Sequence, residues 1–357
     1  MKGYGRKLNM KNQMVWRVYS PTKGFTLLEL MVSLAIGLVL FAGVMSVFVG
    51  MRTTSAETSS YGELQENGRF AVSVLTDDLL RQDLWGDYTG IFDISSISHS
   101  LVAPGNDCSG AGVNNASFPS AVGHFRTLWG DTVASSNPMA CFNDAKIGSD
   151  VLQVKRVSAV DLIRRDADGT PILDVDGDQI PISNAPAGNY HLVTNANDGI
   201  LFSSGAVPVV ENSRVWQYQH HVYYVREEAQ GSNTVPVLMQ GRLTTNMSFA
   251  PIIDGIEMIR FMYGYDADTD PDAAGYGVVD AFISADNMTE ALWDDAGGTK
   301  IIAVKIFVLA RNIAEDNKYT NNNTYQLGDL SVTFNDNYRR LLFSSTVTLY
   351  NARVDLW

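Results

Sequence analysis

The chain has 357 residues, a formal charge of −13 and two cysteines. The charge is unevenly divided. Residues 1–24 hold six basic side chains, Lys2, Arg6, Lys7, Lys11, Arg17 and Lys23, and no Asp or Glu; taking those six from the 26 leaves 20 basic against 39 acidic residues after residue 24, a net of −19. So acidic a balance argues against general binding to a phosphate backbone, which needs basic patches, and gives no direct sign of a nucleic-acid partner.

In chain order, the first element is an apolar run from Phe25 to Met51 whose one ionisable side chain is Glu29. As a helix at about 1.5 Å per residue it would reach roughly 40 Å, enough to cross a hydrocarbon core of about 30 Å. The basic segment before it is expected to stay cytoplasmic, which puts the acidic bulk on the other side of the membrane. A conventional secretory signal has a shorter apolar stretch followed by a small-residue cleavage site, and Met51-Arg52-Thr53-Thr54 is not one. A plain signal anchor would span, but it would leave Glu29 as an unexplained cost of about 2.5–3.5 kcal/mol. Cleavage between Gly24 and Phe25 would remove the difficulty. It creates an ammonium on Phe25, about one turn from Glu29, and an ammonium on a neighbouring copy could reach the same carboxylate. Glu29 also lies at the helix N-terminus, where the macrodipole favours an acid.

Lys23-Gly24-Phe25-Thr26-Leu27-Leu28-Glu29 and the apolar tail resemble the class III signal of type IV pilins and type II secretion pseudopilins. The resemblance implies a prepilin peptidase that cuts after Gly24 and methylates Phe25, and a role for Glu29 in subunit assembly.

Residues 52–63 are rich in Ser and Thr and read as a weak helical segment, prone to loosen. Helical spacing returns at Leu64, Gly68, Ala71, Leu75 and Leu79. This predicts the amphipathic second half of one long helix, residues 52–85, ending near Trp85-Gly86. The string Leu64-Gln65-Glu66-Asn67-Gly68-Arg69-Phe70-Ala71, followed by Asp77-Asp78-Leu79, is similar to the PilW family of minor pilins. So are residues 253–264, Trp293, residues 301–311, Tyr338-Arg339-Arg340 and residues 343–347. No resemblance covers about 90–210.

From about residue 91 the pattern changes to strands and loops. Residues 151–157, 214–225, 301–309 and 341–350 read as strands by β-branched and aromatic content or by period two. One long helix followed by several strands predicts an α+β, type IV pilin-like fold: the helix packed on an antiparallel sheet in a β-rich head, residues 86–357, with large loop insertions.

Cys108 and Cys141 lie in the translocated part, so a disulfide is expected. It would close about 33 residues and contribute roughly 3–4 kcal/mol. Carboxylates at alternate positions make two candidate calcium loops: Asp166 and Asp168 with Asp174, Asp176 and Asp178, and Asp266, Asp268, Asp270 and Asp272. The second departs from an EF-hand, with Pro271 in place of the glycine at position six and Gly277 in place of the glutamate at position twelve. Solvated acidic turns would have the same composition. His220 and His221 are adjacent in a strand and should face opposite sides, so a shared metal is not expected. Trp129, Tyr276 and Trp293 are read as core more readily than as adhesive surface. No GxSxG, HExxH or GxxxxGK[ST] arrangement is present, and no enzyme activity is expected.

The resemblance implies a minor pilin, inserted in the inner membrane with its head in the periplasm, then incorporated into a type IV pilus, where it primes assembly and sits at the tip. Its partners would be prepilin peptidase, other minor pilins and the major pilin. A J-type minor pseudopilin of type II secretion and a membrane-anchored binding or adhesive protein are the alternatives.

Overall fold

The computed structural model describes residues 24–231 and 233–352. Apart from Gly24, the basic leader expected over residues 1–24 lies outside the described residues. Helix α1 spans Leu27–Leu79. The strands follow as β1 (Ile97–His99), β2 (Leu128–Thr132), β3 (Asp150–Asp161), β4 (Asn184–Ala185), β5 (His191–Thr194), β6 (Gly199–Phe202), β7 (Gly205–Ala206), β8 (Arg214–Gln230), β9 (Asn233–Leu243), β10 (Met247–Asp254), β11 (Ile256–Asp266), β12 (Ala281–Ser284), β13 (Lys300–Arg311), β14 (Thr324–Leu327), β15 (Leu330–Thr333) and β16 (Arg340–Thr348). A one-turn helix α2 (Glu290–Trp293) precedes β13. The chain forms two compact units, one ending at Thr58 and the other beginning at Ser59.

In the first unit the Ser/Thr-rich stretch after Met51 is helical, against the expectation that it loosens. The Thr54 hydroxyl donates to the Gly50 carbonyl (3.1 Å) and the Thr58 hydroxyl to the Thr54 carbonyl (2.9 Å). Such back-bonding to the preceding turn gives these hydroxyls a partner compatible with the helix.

In the second unit Leu64, Ala71, Leu75 and Leu79 are buried, and all four belong to the main core. Their spacing is the stripe of a helix packed on one face. Gly68 lies on the same stripe, against the ring of Phe343, and a Cβ on Gly68 would collide with that ring. The glycine is what lets helix and β16 approach. The helix stops at Leu79, earlier than the Trp85-Gly86 expected. Arg81 N–H donates to Asp78 O and Gln82 N–H to Leu79 O, both 3.2 Å, and Asp83 adopts φ 58°, a left-handed conformation that ends the helix. Trp85 is thereby released into the core, where it stacks on Phe92 with ring centroids 3.7 Å apart.

The strands form two principal sheets. The larger has eight strands, with β8 as its spine. On one side β8 pairs with β3; on the other it pairs first with β5 through residues 214–217 and then with β9 through residues 221–230. The pairing is antiparallel except between β1 and β6, which run parallel. The smaller sheet, β12-β11-β13-β16, is antiparallel throughout. Ile302, Val304, Ile306 and Val308 are buried as their parity predicts, but so are Ile301, Ala303 and Leu309. β13 is central and covered on both faces: Leu309 packs with Met258 and Leu327 in a separate cluster under the β14–β15 hairpin.

The two sheets are joined at Ser149 and Asp150. Ile259 N–H donates to Ser149 Oγ (3.0 Å) and Phe261 N–H to Asp150 Oδ2 (2.8 Å), while the Arg260 guanidinium pairs with Asp150 Oδ1 (3.0 Å). Burial pushes the Asp150 carboxyl up to about 6, against the opposing pull of Arg260.

Residues 100–148 contribute β2 and otherwise run as loops. Cys108 and Cys141 are joined in a disulfide, and Cys108 is fully buried. Trp129 and Trp293 are core residues, and Tyr276 is half-buried.

Two outcomes follow for thermal or denaturant unfolding. Replacing both Cys108 and Cys141 by Ser lowers stability by roughly 2–4 kcal/mol. Gly68→Ala costs about 1–3 kcal/mol, and markedly less in a Phe343→Ala background, since the clash is with that ring.

Candidate functional site

The first candidate is the start of α1. Thr26 precedes the helix, and its hydroxyl accepts the Glu29 N–H at 3.3 Å while its carbonyl accepts the Leu30 N–H at 3.1 Å. Thr26 therefore caps the N-terminus of the helix through its hydroxyl. Gly24 and Phe25 lie ahead of the helix in non-helical backbone, and Phe25 is 84% exposed. A peptide bond in that setting is open to a peptidase. Through Met51 the large apolar side chains are exposed, among them Leu34, Phe41 and Phe48. Among the described residues this is the one helix long and apolar enough to cross a membrane. An apolar surface of that length marks a lipid or protein contact. Glu29 is the acid of its first turn.

A second constellation holds α1 to the head. Asn67 Nδ2 donates to the Asp254 carbonyl at 3.1 Å, beside the contact of Gly68 with Phe343. About three turns further on, Asp78 is a buried hub. Its Oδ1 accepts from Arg156 Nε (2.6 Å), and its Oδ2 lies 2.7 Å from both His221 Nδ1 and Tyr223 Oη. Burial alone would raise this carboxyl; the His221 imidazole, the Arg156 guanidinium and the Tyr223 hydroxyl outweigh it and hold the group far below the usual carboxylate range. The motif Asp77-Asp78-Leu79 thus separates two roles. Asp77 is exposed and pairs with Arg81, while Asp78 turns into the sheet. The sequence signal was there, since position 78 continues the buried stripe of 71, 75 and 79.

The adjacent histidines face opposite sides of β8. His221 meets Asp78, and His220 is buried on the other face. Gln153 Nε2 donates to His220 Nε2 (2.8 Å) and to the Cys108 carbonyl (2.9 Å), so His220 Nδ1 carries the proton toward Ser117 Oγ at 2.8 Å. Burial, with Lys155 nearby, keeps this imidazole neutral. Asp107 accepts from the Ser117 hydroxyl (2.6 Å), not from the imidazole. Ser, His and Asp therefore meet here in an order different from a catalytic triad, in which the acid orients the base. Ser117 and His220 have no exposed surface.

In the two acidic loops Asp166, Asp174, Asp266 and Asp270 accept backbone N–H groups. Asp166 Oδ1 takes the N–H groups of Asp168 and Thr170 (3.0 and 2.8 Å), and Asp174 Oδ1 those of Asp176 and Asp178 (2.9 Å each). Asp266 takes those of Asp268 and Gly277, and Asp270 that of Asp272. These are Asx turns. Among the described residues no three His, Cys, Asp or Glu side chains are grouped to hold a metal ion.

Asp78→Asn leaves Arg156 buried without its counter-charge and should cost about 3–5 kcal/mol; Asp77→Asn, at an exposed pair, should cost less than about 1 kcal/mol. Equilibrium denaturation of the two variants checks the contrast.

Comparison with known proteins finds two family models that match parts of the chain. The family model for type IV pilus-assembly protein W matches residues 222–351. The model for the prokaryotic N-terminal methylation motif matches residues 20–45. No curated protein and no solved structure matches the chain. Asn67 and Gly68 lie outside both matched regions, yet they touch Asp254 and Phe343 within the first of them. With its apolar N-terminal helix and largely antiparallel head, the chain is PilW-like over residues 222–351 and type IV pilin-like at its N-terminal methylation motif.

Proposed function

We propose that this minor pilin is cut after Gly24, methylated on Phe25, and built into the pilus through residues 25–51, with Glu29 paired to the N-terminal ammonium of an adjoining subunit. Before assembly it is a single-pass inner-membrane protein with its head in the periplasm; afterwards it stands at the filament tip with other minor pilins and helps to prime the major pilin. The observation that carries this reading is the exposed apolar helix with a single carboxylate in its first turn. Such a surface is satisfied in lipid and equally by the small and apolar side chains of like helices. The carboxylate is costly in either place without a counter-charge, and only a processed chain supplies one beside it. The family assignment points to a structural protein, not an enzyme.

Prepilin peptidase and the neighbouring pilins are thus the partners of the first unit. The test is Glu29→Ala in the native host. Removing the acid leaves an ammonium unpaired in apolar surroundings, a cost of about 2–3 kcal/mol, so the amount recovered in sheared filaments should fall by more than about tenfold. The disulfide and protease resistance of the head should be unchanged. Undiminished incorporation would contradict the proposal.

A further inference from the structure

A cleft of about 720 Å³ lies beside α1 on the face of β3, β8 and β9 that carries the Asp78 hub. That size is within the range of about 300–1,000 Å³ common for small-molecule sites. Register explains its walls. Arg156 sits opposite Gln219 across β3 and β8, and His221 and Tyr223 sit opposite Arg242 and Gln240 across β8 and β9. Strand alternation therefore aligns Gln217, Gln219, Arg156, Gln240 and Arg242 on one surface.

Three features of this wall bear on a ligand. Gln219 Oε1 is buried without a hydrogen-bond partner among the described residues, a state that costs about 1–3 kcal/mol. Arg242 donates through Nε to Gln240 Oε1 at 2.6 Å, and its two terminal nitrogens have no acceptor among the described residues. The lining also carries three arginines, Arg81, Arg156 and Arg242, against Asp77 and Asp78, in a chain whose formal charge is −13. The cleft is a locally positive site on an acidic protein.

The geometry points to a binding site for a sugar acid, a small ligand with one carboxylate and several hydroxyls. A guanidinium with two free nitrogens matches a carboxylate in bidentate fashion. A hydroxyl is the donor that Gln219 Oε1 needs, and the amide of Gln217 can serve further hydroxyls. The two aspartates of the lining oppose a dianion such as phosphate. The single excess positive charge suits a monoanion.

The test is calorimetric titration of the full-length processed protein in detergent micelles with glucuronate, glucose and inorganic phosphate. Glucuronate should bind saturably, and glucose and phosphate at least about tenfold more weakly. Arg242→Gln, an exposed position, should weaken glucuronate by at least about tenfold with the melting temperature unchanged. Gln219→Leu should weaken glucuronate and glucose together. Absence of saturable glucuronate binding, phosphate binding as tight as glucuronate, or an Arg242→Gln variant of unchanged affinity would overturn the assignment. A glucuronate oligomer titrated in parallel tells a free sugar acid from a polysaccharide: tighter binding of the oligomer means the polysaccharide, equal binding the free acid.

Discussion

From Leu27 to Met51 helix α1 has an exposed apolar surface, and one carboxylate is placed in its first turn. Water is a poor solvent for the first and hydrocarbon for the second. A bilayer meets one requirement and leaves the other open. A stack of like helices, each presenting an ammonium one turn from its own glutamate, meets both. In the function proposed above, processing, membrane residence and polymerisation all answer that single conflict, and the Thr26 cap fixes where the helix and its acid begin.

Beyond residue 58 the same helix has a different task, and the chemistry changes accordingly. Leu64, Ala71, Leu75 and Leu79 supply the apolar stripe, Gly68 the close approach to Phe343, and Asn67 and Asp78 the polar fixings. Asp78 is held by three partners drawn from β3 and β8, so its charge specifies how helix and sheet meet as well as contributing to their contact. A second buried carboxylate has a comparable place in the matched region. Arg340 is bound to both oxygens of Glu257 and to both oxygens of Asp336, fastening β16 to β11 and to the loop before it. Removing one member of such a group strands the others in a medium where charge is expensive.

Much of this organisation was legible in the chain. The apolar run, the amphipathic return at Leu64 and the strands at 151–157, 214–225 and 301–309 are local patterns, and local patterns survive folding. The disulfide was legible because only two cysteines were available. The helix end was not: Trp85-Gly86 looks like a terminator, but the left-handed turn at Asp83 comes first and frees Trp85 to stack on Phe92. Nor could the partners of Asp78 be read, because His221 lies 143 residues away. The acidic loops are ambiguous in the chain for another reason. Alternating aspartates suit calcium and Asx turns alike, and the backbone N–H groups within reach are what these carboxylates accept. In residues 100–148 scattered apolar side chains such as Phe118, Phe125 and Met139 are buried together with Asn114, Asn115, Ser117 and Arg126, a mixture that no hydrophobic period would reveal.

The central claim is that Glu29 acquires its counter-charge from a newly made N-terminus. Intact mass and N-terminal determination on the protein isolated from its native host test this most directly. A chain that begins at Phe25, carries one methyl group and has lost residues 1–24 is the result this account requires. A chain that keeps those residues, or starts anywhere other than Phe25, would contradict it.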